Sequence, residues 1–217
     1  MMLPVRLYQG NPYWIRPLDK DVEDTFNPEK NKSFKNGEAM RWIAVDDTGQ
    51  TVGRIAAFIN QNTVSKGNDQ PTGGMGFFEC IEDETVAFAL FDTCKNWLSE
   101  QGMEAMDGPI NFGDRDRFWG LLTEGFDKEP LYGMGYHFVY YQDFFEKYGF
   151  EIYFNQLTFF YIWLKTSSWS VSIRCFLTVL SEFCLCLRTN SSILRKNTWL
   201  SMPKIFGRFT TKLGPKT

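Results

Sequence analysis

The chain has 217 residues, enough for one domain with a real core and without disulfide or metal staples. Hydrophobic residues are 43% and charged residues 23%, which excludes a disordered or fibrous chain, and a net charge of −3 gives no reason to expect nucleic acid. A single histidine, His137, means that a His-rich metal site or a Ser-His-Asp triad would have to pass through that residue.

Five cysteines occur with no Cys-x-x-Cys pair, so zinc ribbons and thioredoxin chemistry have no support. The start lacks the long apolar run of a secretory signal, and a reducing cytoplasmic compartment is expected, with peripheral contact to the inner membrane face left open. Phe, Tyr and Trp number 21, 9 and 7, which suits a bulky core or a pocket for a large apolar group.

In chain order, Leu18–Phe26 reads as a short helix, with Leu18, Val22 and Phe26 at spacing four and Asn27-Pro28 ending it. Ala39–Val45 and Val52–Ile59 alternate around the turn Asp46–Gln50 and form a hairpin. Gln61–Thr72 is a polar loop, and Gly73–Ile81 a strand with a glycine-rich start. Glu84–Gln101 is the clearest element: Val86/Ala87, Leu90/Phe91, Cys94 and Trp97/Leu98 make one apolar stripe, Asp83 fits the N-cap and Gly102 the C-terminal stop. Met103–Asp107 is a short strand, followed by an irregular stretch to Gly135, a helix over Val139–Tyr148 and a strand over Phe150–Phe160. The order predicts an α/β fold: a mixed, mostly antiparallel twisted sheet flanked by helices.

The composition changes after Tyr161. Residues 162–217 carry nine Lys and Arg but one acid, Glu182, and 15 Ser and Thr, whereas 1–161 carries 14 basic and 25 acidic residues. Three readings stand: a basic tail for an anionic surface, a membrane segment at Trp169–Leu187, and a tail translated out of frame. Arg174 and Glu182 make the second a poor span.

The run Tyr141-Gln-Asp-Phe-Phe-Glu-Lys-Tyr-Gly-Phe150, after a strand–helix–strand unit, resembles the late helix of the GNAT acyl-CoA N-acyltransferases. Gly53-Arg-Ile-Ala-Ala57, Gly76-Phe-Phe-Glu-Cys80, Trp97-Leu98, Gly108-Pro-Ile-Asn111, Gly120-Leu-Leu-Thr-Glu-Gly-Phe126 and Tyr140-Tyr141 are similar, in this order, to the bacterial ceramide-synthase-like branch. The resemblance covers about residues 4–161. It implies a GNAT-like fold and transfer of a fatty acyl group from acyl-CoA, as co-substrate and without a metal, to the amine of a sphingoid long-chain base. A non-catalytic acyl or lipid binding module is the alternative.

Departures from the family pattern set further expectations. The chain begins near the Tyr8, Asn11, Pro12, Trp14 segment and lacks a second half, so it reads as truncated at both ends: a partial acyltransferase domain, 1–161, of little or no activity, and a basic, out-of-frame or disordered tail, 162–217. Permissible codons for Lys196–Lys216, shifted by two bases, can encode a charged amphipathic helix. Where the family keeps a Gln/Arg-x-x-Gly-x-Gly/Ala phosphate loop, this chain has Glu82-Asp83-Glu84, which would repel a pyrophosphate.

By the same resemblance, Phe78, Cys80, Ile81 and Thr85 stand where CoA would bind. Glu79 stands where many GNAT enzymes keep a carboxylate base, although pairing with Arg54 on a neighbouring strand is the competing role. Phe145 occupies the usual place of the acid tyrosine, so Tyr141 is the substitute, with aromatic packing its competing role. Asp114, Arg115 and Trp119, in a charged irregular loop, are candidates to hold a polar head group, against a solvated ion-pair cluster. His137 reads as a loop residue with a satisfied hydrogen bond.

Overall fold

The computed structural model describes residues 2–65, 70–114, 117–161 and 186–196. The elements are α1 (Met2–Leu7), α2 (Asp19–Thr25), a 3-10 turn (Lys32–Lys35), β1 (Gly37–Val45), β2 (Thr51–Asn60), β3 (Thr72–Cys80), α3 (Glu84–Glu100), β4 (Ala105–Gly108), β5 (Leu121–Leu122), α4 (Tyr140–Tyr148), β6 (Glu151–Tyr161) and β7 (Cys186–Lys196). The fold is α/β, as the element order predicts.

β1 and β2 form the antiparallel hairpin, its turn closed by Asp46 Oδ1, which accepts from the Thr48 and Gln50 amides at 2.9 Å each. β2 pairs antiparallel with β3, which in turn pairs parallel with β4 across the α3 crossover. β4, β5 and β6 each pair antiparallel with β7, giving a mixed sheet. Apart from β7, the readings of residues 162–217 fall on residues outside those described. No helix among the described residues is long and apolar enough to cross a membrane.

α3 owes its length to its cap and its stripe. The Asp83 carboxylate accepts from the Thr85 and Val86 amides at 2.8 and 3.4 Å, which satisfies two of the donors a helix start leaves open. Ala87, Leu90, Phe91, Cys94 and Leu98 are fully buried against β2 and β3. Each of the large ones contributes about 1.5–3 kcal/mol by leaving water. Gly102, at φ +81°, turns the chain out of the helix where a side chain would be strained.

α4 lies beside α3. Phe145 and Phe91 approach at 4.8 Å between ring centroids, Tyr148 donates to Asp92 at 2.6 Å, and Lys147 pairs with Glu84 at 2.8 Å. Four elements carry too little pattern to be predicted: α1, six residues long; the 3-10 turn at Lys32–Lys35; β5, two residues long; and β7.

Two features of β3 shape the site. Its register with β2 slips between Arg54 and Ala56, because the β3 stretch from Gly76 to Glu79 holds one more residue than the β2 stretch it faces. The bulge places Phe77 at φ +53°, a conformation that costs a non-glycine residue about 1 kcal/mol or more. The rings of Phe26 and Phe118, at 4.9 and 5.3 Å, hold it there. On the other edge, pairing with β4 stops at Gly74 and Asp107, and the chain after β4 then crosses β3 at Gly76. A Cβ on Gly76 would lie 1.9 Å from the Ile110 carbonyl oxygen, so only glycine fits. Beyond that crossing the β3–β4 ladder has ended, since β4 stops at Gly108, which leaves a gap in the pairing along Phe77–Cys80.

Candidate active site

Glu79 occupies the gap. It is buried, and the antiparallel register sets it opposite Arg54, whose guanidinium lies 3.6 Å from its carboxylate. Tyr141, reaching over from the start of α4, donates its hydroxyl proton to Glu79 Oε2 at 3.0 Å and accepts from the Cys80 amide at 2.9 Å. Tyr140 donates to the Cys80 carbonyl at 2.9 Å. Tyr8, at the end of α1, is buried beside the same carboxylate, with its hydroxyl donating to the Tyr136 carbonyl at 3.0 Å. Its ring is sandwiched by Trp14 at 5.1 Å and Phe138 at 4.3 Å, so the N-terminal segment and the segment before α4 form one wall.

Burial raises the pKa of Glu79, and the Arg54 charge and the two phenols pull it back only in part. Burial, with Glu79 nearby, pushes Tyr8 and Tyr141 well above the ordinary phenol value, so both stay protonated as donors. The Cys80 thiol is driven up to about 12 by burial and the nearby acids, which removes it as a nucleophile. His137 is held at about 4 by burial and is neutral at pH 7.

A cavity of about 70 Å³ opens in front of this group, with Trp14, Arg54, Phe77, Glu79, Phe118 and His137 in its wall. It has room for a few water-sized groups. Glu79 is thus a desolvated carboxylate facing a small cleft, held by one cation and phenolic neighbours. That arrangement can take a proton from a bound amine.

Glu79 makes the pairing with Arg54 expected of a strand carboxylate, and it also lines the cavity. Tyr141 is fully buried behind Glu79, and its ring also packs on Phe78 at 5.0 Å. Phe78 points into the core against Phe91 and Phe145. Of the expected CoA contacts, the Cys80 amide is taken by Tyr141, the Ile81 amide by the Val52 carbonyl at 3.0 Å, and the Thr85 amide by Asp83. Asp114 is exposed and apart from the cavity wall, Arg115 lies outside the described residues, and Trp119 lines a second cavity of about 30 Å³ beside Leu122 and Met134. Arg117, from the same charged loop, pairs with Asp21 at 3.6 Å.

Sequence reasoning missed Tyr8, Phe77 and His137 as parts of this wall.

The chain is 34% identical over 138 residues to the bacterial ceramide synthase of Caulobacter vibrioides. That stretch is 64% of this chain and 35% of that protein. Over 149 residues it is 33% identical to Protein YghO of Escherichia coli, which is 68% of this chain and 37% of that protein. The chain therefore spans about a third of the length of the curated relatives it matches. No family model matches the chain. No solved structure matches it. Among the described residues there is no group of three or more side chains able to hold a metal ion.

Proposed function

We propose that this chain carries the amine-activating site of a ceramide-synthase-like N-acyltransferase, built on a GNAT-like fold. Fatty acyl-CoA is the acyl donor and the primary amine of a long-chain sphingoid base the acceptor. The relative named a ceramide synthase supports the reaction class. The observation that carries the reading is the buried Glu79 carboxylate facing a cleft at the parting of β3 and β4, fixed by Tyr141 and Arg54. In this reading Glu79 takes the amine proton as the C–N bond forms, Tyr141 and Arg54 keep its oxygens aimed, and Tyr8 closes the site from water. The exposed Ile15, Leu18, Leu131 and Tyr132 lie on segments bordering the two cavities and support peripheral contact with a lipid surface.

The α3 N-terminus favours slow turnover with CoA esters. Its first amides are already bonded to Asp83, and Glu82 and Glu84 flank it, so a pyrophosphate meets like charge and spent donors. The same observation favours the alternative of a non-catalytic lipid-binding module.

One experiment separates the two. The full chain is incubated with a long-chain acyl-CoA and a sphingoid amine, and amide is quantified by mass spectrometry. Amide formation that falls about 10²–10⁴-fold in Glu79→Gln, with an unchanged melting temperature, is the expected result. Full activity in Glu79→Gln refutes the base assignment. No amide, together with calorimetric binding of free lipid but not of the CoA portion, establishes the lipid module.

A further inference from the structure

When an amine attacks a thioester, negative charge develops on the carbonyl oxygen, and the site must aim N–H donors at it. Two backbone donors at the end of β3 are spent: the Cys80 amide on Tyr141 and the Ile81 amide, just past the strand, on β2. Those of Thr85 and Val86, at the α3 N-terminus, are spent on Asp83. Side chains of the cavity wall offer further donors to that oxygen. Arg54 pairs with Glu79 through Nη2, while its buried Nε has no partner among the described residues. His137 is the neutral donor in the same wall.

Its proton is placed by geometry. Nδ1 of His137 accepts from the Leu122 amide at 3.1 Å. A neutral imidazole has one proton, so it resides on Nε2. The ring lies close over Gly135, where a Cβ would sit 2.6 Å from Cε1 and 3.1 Å from Nε2, and the Tyr141 ring stands 6.1 Å away. The charged and phenolic groups lining the same cavity are Glu79 of β3, Arg54 of β2, Arg16 before α2, Asp19 at its start, and Tyr136. Among the described residues its hydrogen bond is the one from Leu122. Burial keeps it neutral.

The geometry points to His137 as a further catalytic residue: its Nε2–H donates to the thioester carbonyl oxygen and holds the charge of the tetrahedral intermediate. The inference rests on the acyltransferase reading. In the step, the amine nitrogen bonds to the carbonyl carbon, the C=O pair moves onto oxygen, and Glu79 takes the amine proton. The C–O double bond then re-forms, the C–S bond breaks with its pair on sulfur, and the proton held by Glu79 passes to the thiolate. His137 shares its proton throughout and does not transfer it.

Because the chain has one histidine, nitrogen NMR of the full, uniformly labelled chain shows one imidazole. The probes are S-octanoyl-N-acetylcysteamine, a thioester free of pyrophosphate, and its thioether analogue, which has CH2 in place of the carbonyl. Calorimetry establishes binding of each. The inference expects an Nε2–H tautomer at pH 7 and an Nε2–H proton signal moved downfield by the thioester but not by the thioether. In turnover, His137→Phe should lower kcat about 10²-fold or more with KM little changed, and His137→Gln, which keeps an N–H, should restore part of it. Binding of both probes with equal shifts, or with none, overturns the role of His137 and leaves the acyltransferase reading standing. Binding of neither overturns both.

Discussion

The neutral His137 has a consequence for stability that can be worked through. Folded, the imidazole resists protonation down to about pH 4, against an ordinary value of 6.5. Between these limits the unfolded chain binds a proton that the folded chain refuses, so stability falls as pH falls. At about 1.4 kcal/mol per pH unit across that gap, the full loss is about 3 kcal/mol, of which about 2 kcal/mol is spent by pH 5. Glu79 acts in the opposite sense. Its raised pKa makes the folded chain the readier proton acceptor, so its burial penalty is relieved as pH falls through the folded value. The two cannot be separated in one protein, but His137→Gln removes only the first and leaves an oxygen to accept from Leu122. Urea unfolding of both proteins at pH 7 and pH 5 isolates the term. The wild type should lose about 2 kcal/mol more than the variant between the two values, a large share of a typical total stability. Equal losses would show that the imidazole is solvated and titrates freely, and would remove the neutral donor from the site.

Asp83→Asn keeps an acceptor for the Thr85 and Val86 amides but removes a charge from the α3 N-terminus, so acyl-CoA affinity measured by calorimetry should rise severalfold at low salt, with a melting temperature near that of the wild type. Gly76→Ala drives a methyl into the Ile110 carbonyl, and a loss of about 3 kcal/mol or more, or failure to fold, is expected in denaturant unfolding. Leu98→Ala should cost about 2–5 kcal/mol. Gly73→Ala, whose Cβ would sit 2.4 Å from Leu98 Cδ2, should cost less in the Leu98→Ala background than alone, a non-additivity readable in a double-mutant cycle.

Much of the fold is written in local pattern. The α3 stripe, its Asp83 cap and the alternation of β1 and β2 place those elements within one or two residues, because each is set by a period or a cap that a short window contains. Glu79 and its Arg54 partner were also legible, since both sit on strands that pair. Other parts of the site are set by contacts far apart in the chain. Tyr8 is buried because it stacks on Phe138, and the bulge at Phe77 is held by Phe26 and Phe118. His137 shows only a nearby Gly135 and an adjacent aromatic in the sequence; it is half-buried in a cavity wall shared with segments as distant as Pro4 and Trp14, and its tautomer is set by one backbone amide, of Leu122.

The two tyrosines at the start of α4 decide what kind of site this is. In a parallel strand pair that parts, the freed backbone groups of the inner strand need partners, because an unpaired buried amide or carbonyl costs about 1–3 kcal/mol. Here the Cys80 amide and carbonyl find them in Tyr141 and Tyr140, and α4 is tied to α3 through Tyr148–Asp92 and Lys147–Glu84. At Cys80 the strand edge is therefore stabilised without a ligand. The same Tyr141 hydroxyl binds Glu79, so the orientation of the carboxylate depends on the seating of α4. Replacing Tyr141 by phenylalanine would free the Cys80 amide and loosen Glu79 at once. With the edge closed at Cys80, side chains are left to address the substrate, and Glu79, Arg54 and His137 are among the polar ones the cavity wall presents.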